Sequence, residues 1–399
     1  MTDPHLSTIT IPDADRVVRK ALQECWFSGA SCVASLGDTL LHRASYGRVT
    51  SESSAKGVDC DTLFDLSSLT KPLGTALAAM YLVGRGRLDL SRSIAKCLGA
   101  CSSACLPMFQ TARFETITLD MLLDHTAGFP AVTDYYQTIM KQEAHRSEAL
   151  RVCGTRQAAS LYQTHVALLD SVAAPGSAVL YSDLGFMVLG WVIESVVGKP
   201  LDVFLEQTIY KPLDLYRDLF FIRHDDASAA QKRLQGRTVV ATERCAWRKK
   251  MLQGEVHDPN AWALGGVSGH AGLFGTADAV WRLMRILKKA QEGQESLFHA
   301  ATVSRFWTRS KRGLNTTRTL GWDMPSGTHS SASSRFSKNS IGHLGFSGTS
   351  VWLDLQRGTL GVVLANSIHP SVEGAREHMQ QFRPKMYELF AQYADTLQI

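Results

Sequence analysis

Paired cysteines are missing from this chain. Its eight cysteines stand at 25, 32, 60, 97, 101, 105, 153 and 245, with no CxxC pair among them. That excludes the framework of a small disulfide-stapled domain and leaves reduced thiols as the expectation. Cys97, Cys101 and Cys105 repeat at four-residue spacing and could share a helical face, but no histidine is near and the spacing is not that of a zinc site. One-sided charge is missing too. The 42 basic residues are spread against 37 acidic ones, for a net +5, and the densest cluster, Arg248-Lys249-Lys250, reads as a solvated loop. Nucleic acid is therefore not an expected partner. The start, Met-Thr-Asp-Pro-His, followed by an amphipathic stretch around Ala14 to Trp26, lacks the basic-then-apolar pattern of a secretory signal, so a cytoplasmic location is expected. The longest apolar runs, Leu73 to Gly84 and Phe186 to Val197, are too short to span a bilayer, and the second carries Glu194. Internal repeats and low-complexity segments are absent as well.

What is present is an ordinary globular composition, 45% hydrophobic and 20% charged, over a length ample for a large core. Helical periodicity over 14–28 gives way to Ser31–Leu36, a Gly37-Asp38 turn and Thr39–Ser45, which predict a β-hairpin. Glu52 to Asp61 is loop-like. Thr62–Leu66 predicts a short strand running into Ser67-Ser68, followed by a helix to Gly84. Helices are predicted at Leu119–Asp124, Arg146–Leu169, Asp183–Val197 and Ala277–Gln291. The glycine-rich Leu264–Thr276 is expected to be loop or close-packed backbone. Towards the end, Ser340–Leu353, a Gln356-Arg357-Gly358 turn and Thr359–Asn366 predict a second hairpin, with a final helix over Val372–Thr396.

Strands at both ends with helices between them predict a mixed α/β fold. An antiparallel sheet built from the two chain ends would be flanked by the N- and C-terminal helices, with a helical lobe beside it. In that scheme 1–399 is one domain, with 1–67 and 316–399 forming the sheet lobe and 68–315 the mainly helical lobe.

Ser-x-x-Lys puts a hydroxyl and an amine on one helical face, close enough for the amine to organise the hydroxyl proton. The pattern occurs three times, at Ser53/Lys56, Ser68/Lys71 and Ser93/Lys96. The first lies in a hydrophilic loop and the third in a polar stretch. Ser68 lies where a strand meets a helix, a placement that offers a nucleophile and a backbone oxyanion donor together. Pro72 supports a helix start there, and the apolar run to Val83 buries that helix. Taken alone, Ser68 would be a helix cap and Lys71 a solvated residue.

A second component is Tyr181-Ser182-Asp183, at the start of another apolar helix. A phenol near a cation can ionise below its free value of about 10 and shuttle a proton. Tyr-x-Asp recurs at Tyr216 and Tyr393, and alone would be a core tyrosine with an N-cap. The third component is His343-Leu344-Gly345, followed by Phe346-Ser347-Gly348-Thr349. Gly345 would let a substrate approach the strand, with an N–H just beyond as a second oxyanion donor. His-x-Gly recurs at His270-Ala271-Gly272.

With these three elements in this order, the chain resembles the serine β-lactamase and penicillin-recognising enzymes, in the class C, DD-peptidase and esterase branch. The likeness extends to Leu122-Leu123-Asp124-His125-Thr126-Ala127-Gly128-Phe129-Pro130, to 264–276 and to Leu320-Gly321-Trp322-Asp323, covering roughly 15–370. The resemblance implies an acyl-enzyme on Ser68, Lys71 as base or electrostatic partner, and Tyr181 as proton shuttle facing His343. It also implies oxyanion donation by the N–H groups of Ser68 and Phe346, each worth roughly 3 kcal/mol. No metal or cofactor is expected, and the partner is a small molecule or short peptide.

Two positions depart from the family pattern. Asp183 stands where most relatives have Asn, and an ionised carboxylate only accepts hydrogen bonds. His343 stands where many have Lys, and a largely neutral imidazole is a poorer anchor for a β-lactam carboxylate. The resemblance thus points to an amide or ester hydrolase, with a cell-wall-derived muramyl peptide or D-amino peptide as first expectation. A carboxylesterase, a β-lactamase and a catalytically silent ligand-binding homologue are the alternatives.

Overall fold

The structure is a computed structural model that describes residues 8–99, 106–131, 134–144, 152–313, 316–327 and 330–397. Ten strands are described: β1 Gly29–Leu36, β2 Thr39–Gly47, β3 Phe64–Asp65, β4 Leu219–Phe221, β5 Ala241–Cys245, β6 Lys250–Gln253, β7 Leu273–Gly275, β8 Ile341–Leu344, β9 Ser350–Leu353 and β10 Thr359–Ala365. The main sheet is antiparallel and runs β2-β1-β10-β9-β8, so that the first and last strands of the chain lie side by side. Alternate side chains of β10 go to opposite faces, as pleating requires. Val363 and Ala365 join a cluster with Val18, Phe382 and Phe390 from the terminal helices Pro12–Gln23 and Ala375–Thr396. Leu360, Val362 and Leu364 join the larger core with Leu283 and Leu287 of the Ala277–Gln291 helix. Both faces are covered, which is why β10 is apolar from Leu360 to Ala365.

The first hairpin forms as its turn residues predict, with Leu36 opposite Thr39. The second differs. Ser340–Leu353 is two strands, β8 and β9, because the chain reverses through Gly345–Thr349, where Gly345 N–H donates to Thr349 O at 2.7 Å. The glycine-rich stretch is not all loop: Leu273–Gly275 is β7, paired with both β3 and β4 in a three-stranded sheet. A further hairpin, β5–β6, turns through Trp247–Lys249. Arg248 in that turn is not simply solvated, since its guanidinium lies over Trp247 and bonds the carbonyl of Val256 at 2.8 Å. Of the predicted helix over 146–169, residues 146–151 lie outside the described residues, and helix is found at Ala159–Leu168. Cys97 is buried, whereas Cys101 and Cys105 also lie outside them.

Candidate active site

Three segments from distant parts of the chain converge at Ser68. It sits in a tight turn, Ser67–Leu69, directly after β3, and the helix that follows opens in wide turns over Lys71–Ala76 before becoming regular at Leu77. Ser67 takes a left-handed conformation, φ +48°, which costs a non-glycine residue about 1–2 kcal/mol. Asp65 helps hold it there: its buried carboxylate accepts the Ser67 N–H at 2.8 Å and the His257 N–H at 2.7 Å. Thr70 Oγ1 donates to Ser67 O at 2.6 Å and accepts from Leu273 N–H at 3.1 Å, binding the turn to β7.

Lys71 is fully buried. Its Nζ donates to Ser68 Oγ at 2.8 Å and to His270 O at 3.3 Å, and pairs with Asp183 Oδ1 at 2.7 Å. Burial works against the ammonium, but the Asp183 carboxylate and the Tyr181 oxygen outweigh it and raise the pKa of Lys71 above its ordinary value. In the resting site Lys71 is therefore a cation. The Tyr181 ring lies 4.9 Å from Lys71 Nζ, and its hydroxyl is coupled electrostatically to Lys71 and Ser68. Burial pushes its pKa up, against the lowering effect of Lys71. This corrects the expectation of a readily ionised phenol: Tyr181 is neutral at rest.

His343 is buried on β8, its ring centroid 6.2 Å from that of Tyr181. Desolvation first, then Lys71 and Arg318, hold its pKa well below 6.5, so it is neutral at pH 7. Nδ1 lies 2.8 Å from Leu344 O. A carbonyl can only accept, so Nδ1 carries the proton and Nε2 keeps its lone pair. Gly345 lies against the nucleophile turn, where an added Cβ would come 2.6 Å from Leu66 O. Phe346 follows, largely exposed, and Ser347 N–H donates to Ser67 Oγ at 3.3 Å.

The predicted residues Ser68, Lys71, Tyr181, Asp183, His343, Gly345 and Phe346 thus share one site. The competing Ser-x-x-Lys pairs do not. Ser93 Oγ is engaged with Glu115 and with the Lys96 N–H. Lys56 reaches Thr238 instead of Ser53. His270 borders the site: its ring nitrogens engage Asp258 at 2.8 Å and Ser268 at 2.8 Å, and its carbonyl accepts from Lys71.

Three further groups border the site without having been assigned a place in it. His125 stacks 4.5 Å from Tyr181 and accepts the Ser182 N–H at 3.0 Å, positioning the phenol. The Arg318 guanidinium lies 5.1 Å from the centroid of that ring and pairs with Asp323. Both stood inside stretches carrying the family resemblance or beside them, but nothing in their spacing singled them out. The third is Asp258, whose carboxylate with those of Asp183 and His270's ring nitrogen forms the one group among the described residues with metal-ligating atoms within 4.8 Å of one another. The Lys71 ammonium already pairs with Asp183 there, and a cation would have to compete with it.

The fold and this arrangement define a β-lactamase-fold serine hydrolase. A sequence model of the Beta-lactamase family matches residues 14–383, and the chain belongs to that family. It is 30% identical to the N-acetylmuramyl-L-alanine amidase of Bacillus subtilis (strain 168), over 95% of this chain and 86% of the relative. Among solved structures it is similar to EstCE1, a hydrolase with promiscuous acyltransferase activity (TM-score 0.69, 21% identity, 94% of this chain and 98% of that one). It is also similar to a class C β-lactamase (TM-score 0.66, 15% identity, 94% and 96%).

Proposed function

We propose that the protein is an amidase that cleaves an N-acetylmuramyl-L-alanine type of amide through an acyl-enzyme on Ser68. The observation that carries the reaction is the buried Lys71 ammonium placed between Ser68 Oγ and the Asp183 carboxylate under the ring of Tyr181. The likeness to the Bacillus subtilis amidase, which spans nearly the whole chain, supports the substrate class. The neutral His343, a weak anchor for a carboxylate, disfavours a β-lactam.

A charged lysine cannot take the serine proton, so the proton moves through Tyr181. As Ser68 Oγ bonds to the amide carbon, its proton passes to the Tyr181 oxygen while the phenol proton passes to the departing nitrogen. The C–N bond breaks and the amine leaves. Tyr181 stays neutral throughout, which fits its raised pKa. Lys71 stabilises the developing charge on Oγ, and the N–H groups of Ser68 and Phe346 receive the oxyanion. Water then attacks the acyl carbon, the ester bond breaks, and the water proton returns through Tyr181 to Ser68.

The test is intact mass spectrometry after fluorophosphonate treatment, together with release of L-alanine from N-acetylmuramyl-L-alanine. One adduct is expected, absent in Ser68→Ala, with turnover reduced at least about a thousandfold. Labelling that persists in Ser68→Ala, or the absence of alanine release by the parent, would overturn the reading.

A further inference from the structure

A muramyl amide places strong limits on the site that cleaves it. Only two atoms, the lactyl carbon and the ether oxygen, separate the scissile carbonyl from the sugar ring. The pyranose must therefore lie directly beside the nucleophile.

Phe346 occupies that ground. Its neighbours on both sides are fixed to the nucleophile turn, Gly345 against Leu66 O and Ser347 through Ser67 Oγ. Yet the Phe346 side chain is 63% exposed. It is not a loose surface ring. It stacks on His257 with centroids 5.6 Å apart and planes inclined by 24°. His257 is anchored by its N–H to Asp65 at 2.7 Å, and its Nε2 lies 3.4 Å from Glu243 Oε2. Arg248 donates to the carbonyls of Val256 and His257 and carries Trp247 on its guanidinium face. An exposed aromatic ring is thus carried on the segment pinned to the nucleophile turn, and it is backed by an anchored imidazole.

A pyranose has the complementary form, an apolar C–H face bordered by hydroxyls, and aromatic rings offer such a face a large, rigid contact. An alkyl chain would need enclosure on several sides, and this platform gives one. The geometry points to a carbohydrate subsite in which the Phe346 ring, backed by His257, stacks against the sugar of the acyl group. This rests on the amidase reading above and names the part of the substrate that the site selects.

The experiment has two arms. Calorimetry measures N-acetylmuramic acid binding to the parent, Phe346→Ala and Phe346→Trp. Kinetics compare N-acetylmuramyl-L-alanine with D-lactoyl-L-alanine, which has the same amide without the sugar, and with N-octanoyl-L-alanine. In Phe346→Ala, sugar binding should weaken about tenfold, the preference in kcat/KM for the sugar-bearing amide should shrink by a similar factor through KM, and Phe346→Trp should retain both. An unchanged preference, or an octanoyl substrate that outcompetes the muramyl one, would overturn the subsite. Sugar binding that depends on Phe346 without cleavage of the amide would sink the amidase reading and leave the subsite standing. Cleavage indifferent to Phe346 would do the reverse.

Discussion

At the scale of single residues, Asp183 decides the protonation state of the site. Its carboxylate lies 2.7 Å from a lysine with no exposed surface, and it is the largest of the influences that outweigh burial and raise the Lys71 pKa. A neutral amide at this position would lack the charge by which the carboxylate holds the ammonium. If the reaction needs a charged Lys71, activity persists up to the Lys71 pKa and falls as pH rises through it. Asp183→Asn removes a raising influence and lowers that pKa, so the alkaline limb of kcat/KM on a small ester should move to lower pH. A limb that stays in place in the variant would show that Lys71 does not set it. The Ser-x-x-Lys pattern was legible from sequence. The direction of the tyrosine shift was not, because whether burial or a neighbouring cation prevails depends on how deeply Tyr181 lies, and spacing carries no depth.

At the scale of elements, the reversal between β8 and β9 links the site to the last helix. Arg383, on the Ala375–Thr396 helix, is buried, and its guanidinium donates to Gly345 O at 2.7 Å and Thr349 O at 3.0 Å. Burial brings its pKa down to about 10, which still leaves it charged at neutral pH. It holds in place the loop that carries Gly345 and Phe346. Arg383→Met deprives two carbonyls of their donor, at about 1–3 kcal/mol. Equilibrium unfolding should report that loss, and the rate of fluorophosphonate labelling should fall about tenfold as the loop loosens. A labelling rate equal to the parent's would separate the arginine from the site. Elements such as this one marked the border of what the sequence disclosed. Gly37-Asp38 gave the first hairpin because turn chemistry is local. Gly345 to Thr349 was read through as strand because its flanks are equally apolar, and β7 was read as loop because glycines surround Leu273-Phe274. Pairing on both sides makes that segment a strand: Phe274 lies opposite Asp65 of β3 and Phe220 of β4, 209 and 54 positions earlier in the chain.

At the scale of the whole molecule, the site depends on joining the chain ends. β1 and β10 pair over seven positions, and β8, with His343, reaches Ser68 only because β9 and β10 carry it across the sheet. The terminal helices close the outer face of that sheet, and their fit is tight at Gly361 in β10. A Cβ there would lie 2.8 Å from Tyr387 Cε1 and 2.9 Å from Phe390 Cδ2, both on buried side chains of the last helix. Gly361→Ala should therefore destabilise by about 1–3 kcal/mol through overpacking, read as a lower denaturant midpoint. Phe390→Leu, which destabilises on its own, makes room at the same spot, so the double variant should lose less than the sum of the two single losses. Strict additivity would mean that the helix simply moves away from the sheet. Because this layer faces away from Ser68, the folded fraction of Gly361→Ala should label with fluorophosphonate at the parent rate; slower labelling would show that strain on the outer face reaches the site through β9 and β8.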